Sequence, residues 1–232
     1  MSGLISWRIR MGEERAGQIL ALASSRGTNS HDRAEYLLKT ARKIAFAAAK
    51  KRNRLRYHSS GLLEVPSAIT RWALGEVYES MPAGKIYSNS FAEPLCRWIV
   101  ANVTQIYSVE FRVRYIFDGP SRFVRNMPFD GFAGQGDGLL GINGSGPILA
   151  DWKTSNSRPD VDKKAEWVDQ LGGYRLGMRR DVDIEPEGGL VVCARRLAPV
   201  EVVEVDRPQL QVGSQNFLDR CDAYVVGDRV CS

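Results

Sequence analysis

The stretch ILADWKTS, residues 148–155, sets Asp151 and Lys153 two positions apart behind the apolar Ile148 and Leu149. On an extended strand residues i and i+2 project from the same face, so Leu149, Asp151 and Lys153 share one side. Just upstream, NGSG at Asn143–Gly146 separates residues 132–142 from 147–153, and Asn-Gly between apolar runs signals a β-hairpin. Asp137 falls on the first arm and Asp151 on the second, at similar distances from the turn, so the hairpin makes them neighbours across the ladder. Two close carboxylates repel unless a cation lies between them, and a hard divalent ion such as Mg²⁺ takes a few carboxylate oxygens plus water. Beside such an ion an ammonium can orient a water nucleophile or stabilise charge developing on a phosphate. The same residues also make a hairpin with a surface salt bridge, and Asp-x-Lys alone does not choose between the two.

Outward from the hairpin, the period of the apolar residues changes near residue 108. Before it, residues 13–24 are rich in strong helix formers. SSRGTNS (24–30) interrupts that pattern, and a long helix is expected over about 31–56, with Ala34, Leu37, Leu38, Ala41, Ile44 and Ala45 on its apolar side. A shorter helix should start at Pro66, since a first turn tolerates proline, and another should cover 89–106. From 108 to 117, Val109, Phe111, Val113, Tyr115 and Phe117 alternate with mostly polar residues, the period of a half-buried strand. Residues 118–131 read as a loop with the look of a local insertion or lid. After the hairpin a helix is expected over 160–180. GGLVVCARR and VEVVEVD then read as strands joined by LAP, and a last helix covers 207–224. The order from 108 is β-β-β-α-β-β-α. The fold class is therefore α/β (α+β), a mixed sheet flanked by helices, behind an N-terminal helical region.

The 232 residues carry a formal net charge of +5, too mild to name a partner. The distribution says more: KKRNRLR, residues 50–56, holds Lys50, Lys51, Arg52, Arg54 and Arg56 with no acid. Such a run can neutralise phosphates, or it can be a solvated helix end, where cations are also favoured. No window is apolar enough to span a bilayer, and the N-terminal stretch lacks the apolar run of a secretion signal, so a cytoplasmic protein is expected. Cys96, Cys193, Cys221 and Cys231 form no CxxC pair and are expected to be free thiols.

Gln170 and Tyr174 lie four apart on the helix after the hairpin, and His31 and Glu35 lie four apart on the N-terminal one, each pair on one helix face. Histidine is a common metal ligand, though more often a polar surface residue. Taken in order, His31, Asp137, Asp151-x-Lys153 and Gln170-x-x-x-Tyr174 resemble the RecB-like branch of the PD-(D/E)XK nucleases. Trp7, Arg8, Gly12, Glu13, Glu14, Ala16 and RGTNSHDRAEYLL (26–38) are further similar to phage-encoded exonucleases related to the mitochondrial genome-maintenance exonuclease. The resemblance covers about residues 4–180.

That resemblance implies a restriction-endonuclease-like core over 108–232, with the His-bearing helical region 1–107 packed on it as one domain. It implies Mg²⁺ or Mn²⁺ held by His31, Asp137, Asp151 and the Ala150 carbonyl. Lys153 would assist the attacking water, and Gln170 and Tyr174 would position DNA or the catalytic groups. Glu35 would stand behind the ligands. Glu110 falls where related sequences tend to have an acid, although it shares a strand face with Arg112 and Arg114 and reads equally as a surface ion pair. Thr154 and Ser155 would either touch phosphate or simply end the strand. The implied activity is an exonuclease on single-stranded DNA or DNA ends, in phage DNA replication, recombination or degradation within a host cytoplasm. An inactive DNA-end-binding module and a structure-specific endonuclease are the alternatives. Some members hold an iron–sulfur cluster with one cysteine before the histidine motif; none precedes His31 here, so no cluster is expected.

Overall fold

The computed structural model describes residues 13–81, 91–120, 122–124, 127–196 and 198–231, with side chains from 29 to 225 except Met127. Trp7, Arg8 and Gly12 of the N-terminal motif lie outside the described residues, as do the side chains of Glu13, Glu14, Ala16 and Cys231. Helix α1 spans Glu13–Lys51, followed by the short strands β1 (Arg56–Tyr57) and β2 (Leu63–Glu64), then α2 (Ser67–Ser80) and α3 (Ala92–Asn102). Strand β3 is Val103–Ile116, β4 Phe123–Val124, β5 Met127–Pro128, β6 Gly131–Ile142 and β7 Ser145–Ser155. Helix α4 (Val161–Val182), strands β8 (Gly188–Arg195) and β9 (Ala198–Asp206) and helix α5 (Arg207–Cys231) complete the chain. Five strands form one mixed sheet in the order β3-β6-β7-β8-β9, in which only β7 and β8 are parallel. The expected β-β-β-α-β-β-α order from 108 is the order of this sheet and its two C-terminal helices.

Helices α1 to α3 cover one face. Leu37 and Leu38 of α1, Leu74 of α2 and Leu95 and Ile99 of α3 pack there with Leu140, Ala150, Trp152 and Val192 of the sheet. Helix α4 and the start of α5 cover the other, where Trp167, Leu171, Met178 and Leu210 meet Phe111, Leu139, Leu149 and Val191. β8, buried along nearly its whole length, explains why GGLVVCAR is almost unbroken in apolar and small residues. Among the described residues no helix is long and apolar enough to cross a membrane.

Several local expectations differ from the structure. SSRGTNS is helical, because α1 runs through it without a break; weak helix propensity is a prior that tertiary context overrides. The helix then stops at Lys51 rather than near 56. Asn53 takes a left-handed φ of 51°, and the Arg54 N–H reaches back to the Ala49 carbonyl at 2.9 Å, a C-terminal cap that ends the rod. Asn53→Val is expected to cost about 1–2 kcal/mol, since a β-branched residue resists that conformation; urea midpoints measure it. The segment 103–106 is strand, not helix: the Val103 carbon skeleton is already buried against α1–α3 and pairs with Ile142. The predicted helix from Pro66 begins at Ser67, with Pro66 just ahead of it. Within 118–131 lies the small β4–β5 pair, and Phe129 there packs edge-on against Tyr224 of α5.

The alternation in β3 also slips. Val109 packs toward α1–α3, whereas Phe111 and Val113 pack toward α4. Glu110 between them has a φ of 52°, a left-handed conformation unusual for a residue with a side chain. Val109 pairs with Gly138 and Phe111 with Gly136, so Asp137 sits opposite the slip.

Helix α4 owes its start to Asp160, whose side chain accepts from the Lys163 N–H at 2.8 Å. Its QLGGY segment explains its glycines. A Cβ on Gly172 would collide with the backbone of Gly213 and Ser214 on α5, and one on Gly177 would press on Val113 of β3. Ser214, buried in the same contact, lies 3.0 Å from the Gly172 carbonyl and accepts from buried Arg175.

Candidate active site

The hairpin is closed by Asn143 and Gly144, both at positive φ, with Ile142 paired to Ser145, so the tight turn is these two residues. The ladder then sets Gly138 opposite Ala150, which brings Asp137 to the level of Asp151. Asp137 Oδ2 accepts from the Trp152 N–H at 2.6 Å, locking this carboxylate onto the neighbouring strand. Its Oδ1 faces His31 Nδ1 at 3.3 Å, so α1 docks its histidine directly onto β6.

Asp151 is 3% exposed. Lys153 Nζ lies 2.6 Å from its Oδ2, yet not along a hydrogen-bonding direction, so this buried oxygen has charge compensation without an aligned donor. Burial pushes the Asp151 carboxyl up to about 6; Lys153 opposes this, and the Asp137 charge adds to it. His31 is also held above its ordinary value. Burial works against the charged ring, but the hydrogen bond and charge of Asp137, aided by Asp151, outweigh it.

Gln170 Nε2 donates to the Tyr174 hydroxyl at 2.6 Å, leaving the tyrosine proton free to point elsewhere. The Tyr174 ring packs edge-on against Phe111 and lies over Gly134, where a Cβ would come within 3.1 Å of it. Burial, followed by the charges of Asp151 and Asp137, pushes its hydroxyl up to about 12, so it stays a donor at neutral pH.

Among the described residues neither Glu35 nor Glu110 forms a hydrogen bond or ion pair with His31. Both are held by Lys39, Glu110 at 2.7 Å, and Gln135 donates to Glu110 at 3.0 Å. Lys39 holds the Glu110 carboxyl below its usual range. Glu110 thus pairs with α1 rather than with Arg112 or Arg114. Lys39 was missed from sequence, although the i, i+4, i+8 run His31-Glu35-Lys39 marks one helix stripe and could have found it. Thr154 and Ser155 are half-buried at the end of β7, where Ser155 Oγ accepts from the Ser157 N–H. Lys50, Lys51, Arg52, Arg54 and Arg56 are all exposed; Arg54 and Arg56 line a cleft of about 620 Å³ with Glu64 and Gln105.

Among the described residues no three His, Cys, Asp or Glu side chains converge closely enough to enclose a metal ion by themselves. Two carboxylates do stand at one level of adjacent strands and feel each other's charge, one with a buried oxygen that lacks an aligned donor. That set fits Mg²⁺, which is characteristically held by one or two carboxylates with water and substrate phosphate completing its shell. Cys96, Cys193 and Cys221 are free, and burial pushes the Cys96 thiol up to about 12 and the Cys193 thiol up to about 11.

No protein-family model matches the chain, and no curated protein matches it. Among solved structures, one named SSO0001 aligns with 66% of this chain and 66% of its own length, at 17% identity and a TM-score of 0.31. A "Putative exonuclease" from Eubacterium rectale aligns with 86% of this chain and 84% of its own, at 10% identity and a TM-score of 0.37. At those scores neither likeness bears on the site, which stands on its own residues.

Proposed function

We propose that this chain is a metal-dependent deoxyribonuclease that hydrolyses phosphodiester bonds, acting as an exonuclease on single-stranded DNA or DNA ends. The observation that carries the reading is the opposition of Asp137 and Asp151 on adjacent strands, with Lys153 on one carboxylate and His31 on the other. The order of these residues with Gln170 and Tyr174 is also that of the RecB-like PD-(D/E)XK nucleases.

Asp137 and Asp151 would hold Mg²⁺ or Mn²⁺ with the Ala150 carbonyl, while His31, which the resemblance makes a ligand, is engaged with Asp137 and would act through that carboxylate. The ion would supply a Lewis acid and an acidified water. The chain's own groups do the rest. His31 and the Trp152 N–H fix the two oxygens of Asp137, so that carboxylate is pre-oriented. Lys153, a quarter exposed and anchored on Asp151, presents an ammonium that can hold the attacking water or a non-bridging phosphate oxygen. Tyr174 accepts from Gln170 and is left with its own proton to donate to the substrate phosphate.

The test is digestion of a 5′-labelled single strand with Mg²⁺, with Mn²⁺ and with EDTA, beside Lys153→Ala. Metal-dependent laddering reduced by about 10²–10³ in the variant is expected, the scale of losing one charge-stabilising donor. Equal cleavage by the variant would remove Lys153 from the chemistry. Closed circular DNA resisting digestion while linear DNA is consumed would separate the exonuclease from an endonuclease using the same site.

A further inference from the structure

Helix α1 carries more than His31. Residues 31, 35, 39, 42–43, 46 and 50 follow at three- or four-residue steps and so lie along one side of the helix. The stripe starts at the carboxylates with His31 and passes Lys39, which reaches Glu110 of β3. One turn further come Arg42 and Lys43, both exposed, and then Phe46, 38% exposed. These three line a cleft of about 250 Å³ with Leu63, Val65 and Ile106. It adjoins, at Val65, the larger cleft that Arg54 and Arg56 line. Arg42 donates through Nε to the Ile106 carbonyl at 3.2 Å, which fixes the guanidinium in the wall and leaves its terminal nitrogens for another acceptor.

The charge pattern is one-sided. Among the described residues Arg42, Lys43, Lys50, Lys51, Arg52, Arg54 and Arg56 make no salt bridge; Arg33, Arg71, Arg112, Arg114, Arg196 and Arg207 make none either, but they are scattered, whereas these seven fall within residues 42–56 and four of them line the two adjoining clefts. The single acid lining either cleft, Glu64, accepts from the Tyr107 hydroxyl at 2.9 Å. A row of uncompensated cations repels itself, and a polyanion laid along it relieves the repulsion. The exposed aromatic ring within the row distinguishes the polyanion: an unpaired base offers a face to stack, whereas a duplex hides its own.

We propose that this side of α1 is the approach track for a single-stranded nucleic acid, in which Arg42 and Lys43 grip phosphates and Phe46 stacks a base ahead of the carboxylates. The inference deepens the nuclease reading and takes the site from it. A helical rise of about 1.5 Å per residue sets Phe46 roughly 20 Å from His31, a span suited to a strand of several nucleotides.

The test measures binding of a labelled oligothymidylate by fluorescence anisotropy across a salt series, in EDTA, with the full chain. Arg42→Gln combined with Lys43→Gln should weaken binding and flatten the slope of log K against log salt by about 1–1.5, the share of two phosphate contacts on a single strand. Phe46→Ala should weaken it roughly five- to a hundredfold, and Phe46→Leu nearly as much, because size without a π-face does not replace stacking. Thermal unfolding checks that these exposed substitutions leave the fold intact. Wild-type affinity and slope in the folded variants would overturn the track, as would a duplex bound as tightly as the single strand and weakened equally by Phe46→Ala. With metal, the variants should raise KM for a long single strand more than KM for a dinucleotide. Weakened binding in a chain that cleaves nothing under any metal would sink the nuclease and keep the track. Cleavage with unaltered KM and binding would do the reverse.

Discussion

Asp151→Asn is expected to abolish metal-dependent cleavage and, in the same protein, to raise the stability of the metal-free fold at about pH 8. The loss of activity should be at least as large as that for Lys153→Ala, about 10³ or more, because the substitution removes both a charged donor and the anchor of Lys153. The gain in stability follows from burial. The carboxyl is raised from 3.8 to about 6 in the folded chain. A raised value means that folding favours the protonated form. Its contribution is complete below about pH 4 and is lost as pH climbs through about 6, so above that the ionised group burdens the fold by on the order of 3 kcal/mol. Urea unfolding in EDTA should therefore show wild type weakening from about pH 4 to pH 7, and Asp151→Asn weakening much less. Parallel pH profiles would mean that Asp151 is not the group that titrates. Addition of Mg²⁺ at about pH 8 should stabilise wild type and leave the variant unmoved. Both outcomes together would be the usual trade between stability and activity.

Gly172→Ala should lower stability by about 3 kcal/mol or more, against the direction that helix propensity alone would give. Alanine in place of glycine inside a helix is worth up to about 1 kcal/mol in its favour. At Gly172 the new methyl would meet backbone atoms of Gly213 and Ser214, which cannot rotate away as a side chain would, so α5 must move. Gly75, inside α2, has nothing within 4 Å of its would-be Cβ, and Gly75→Ala should raise stability by about 0.5–1 kcal/mol. Opposite signs at the two sites, read from urea midpoints, would show that the α4–α5 contact decides. A stable Gly172→Ala protein would mean that the helices are not packed backbone to backbone. Because Gln170 and Tyr174 flank this glycine on α4, any movement there should also disturb their mutual hydrogen bond.

The sheet and the hairpin were legible because their signals are local: Asn143-Gly144 specifies its own turn, and one alternating run fixes which residues share a face. The positions of Asp137, Asp151 and Lys153 relative to one another followed from the same counting. The break at Glu110 was not legible, since nothing in SVEFRVRY announces a left-handed residue that turns Val109 and Phe111 to opposite layers. Helix ends were misjudged where tertiary contacts set them. Val103 joins the sheet through Ile142, and the basic run 50–56 is divided by the Asn53 cap into a helix end, a turn and a strand. The association of Lys39 with both Glu35 and Glu110 needed the docking of α1 on β3, which no single segment encodes.

Asp137 and Asp151 lie on the two arms of one hairpin that turns at Asn143-Gly144, a single local supersecondary unit. Closing such a unit costs little loop entropy, so the two acids are expected to come together early, through contacts of low sequence separation. His31 arrives from the far end of the chain, and its contact with Asp137 forms only when α1 docks. The topology thus sets an expected order of assembly, in which the two repelling carboxylates come together first and the imidazole that steadies one of them joins last.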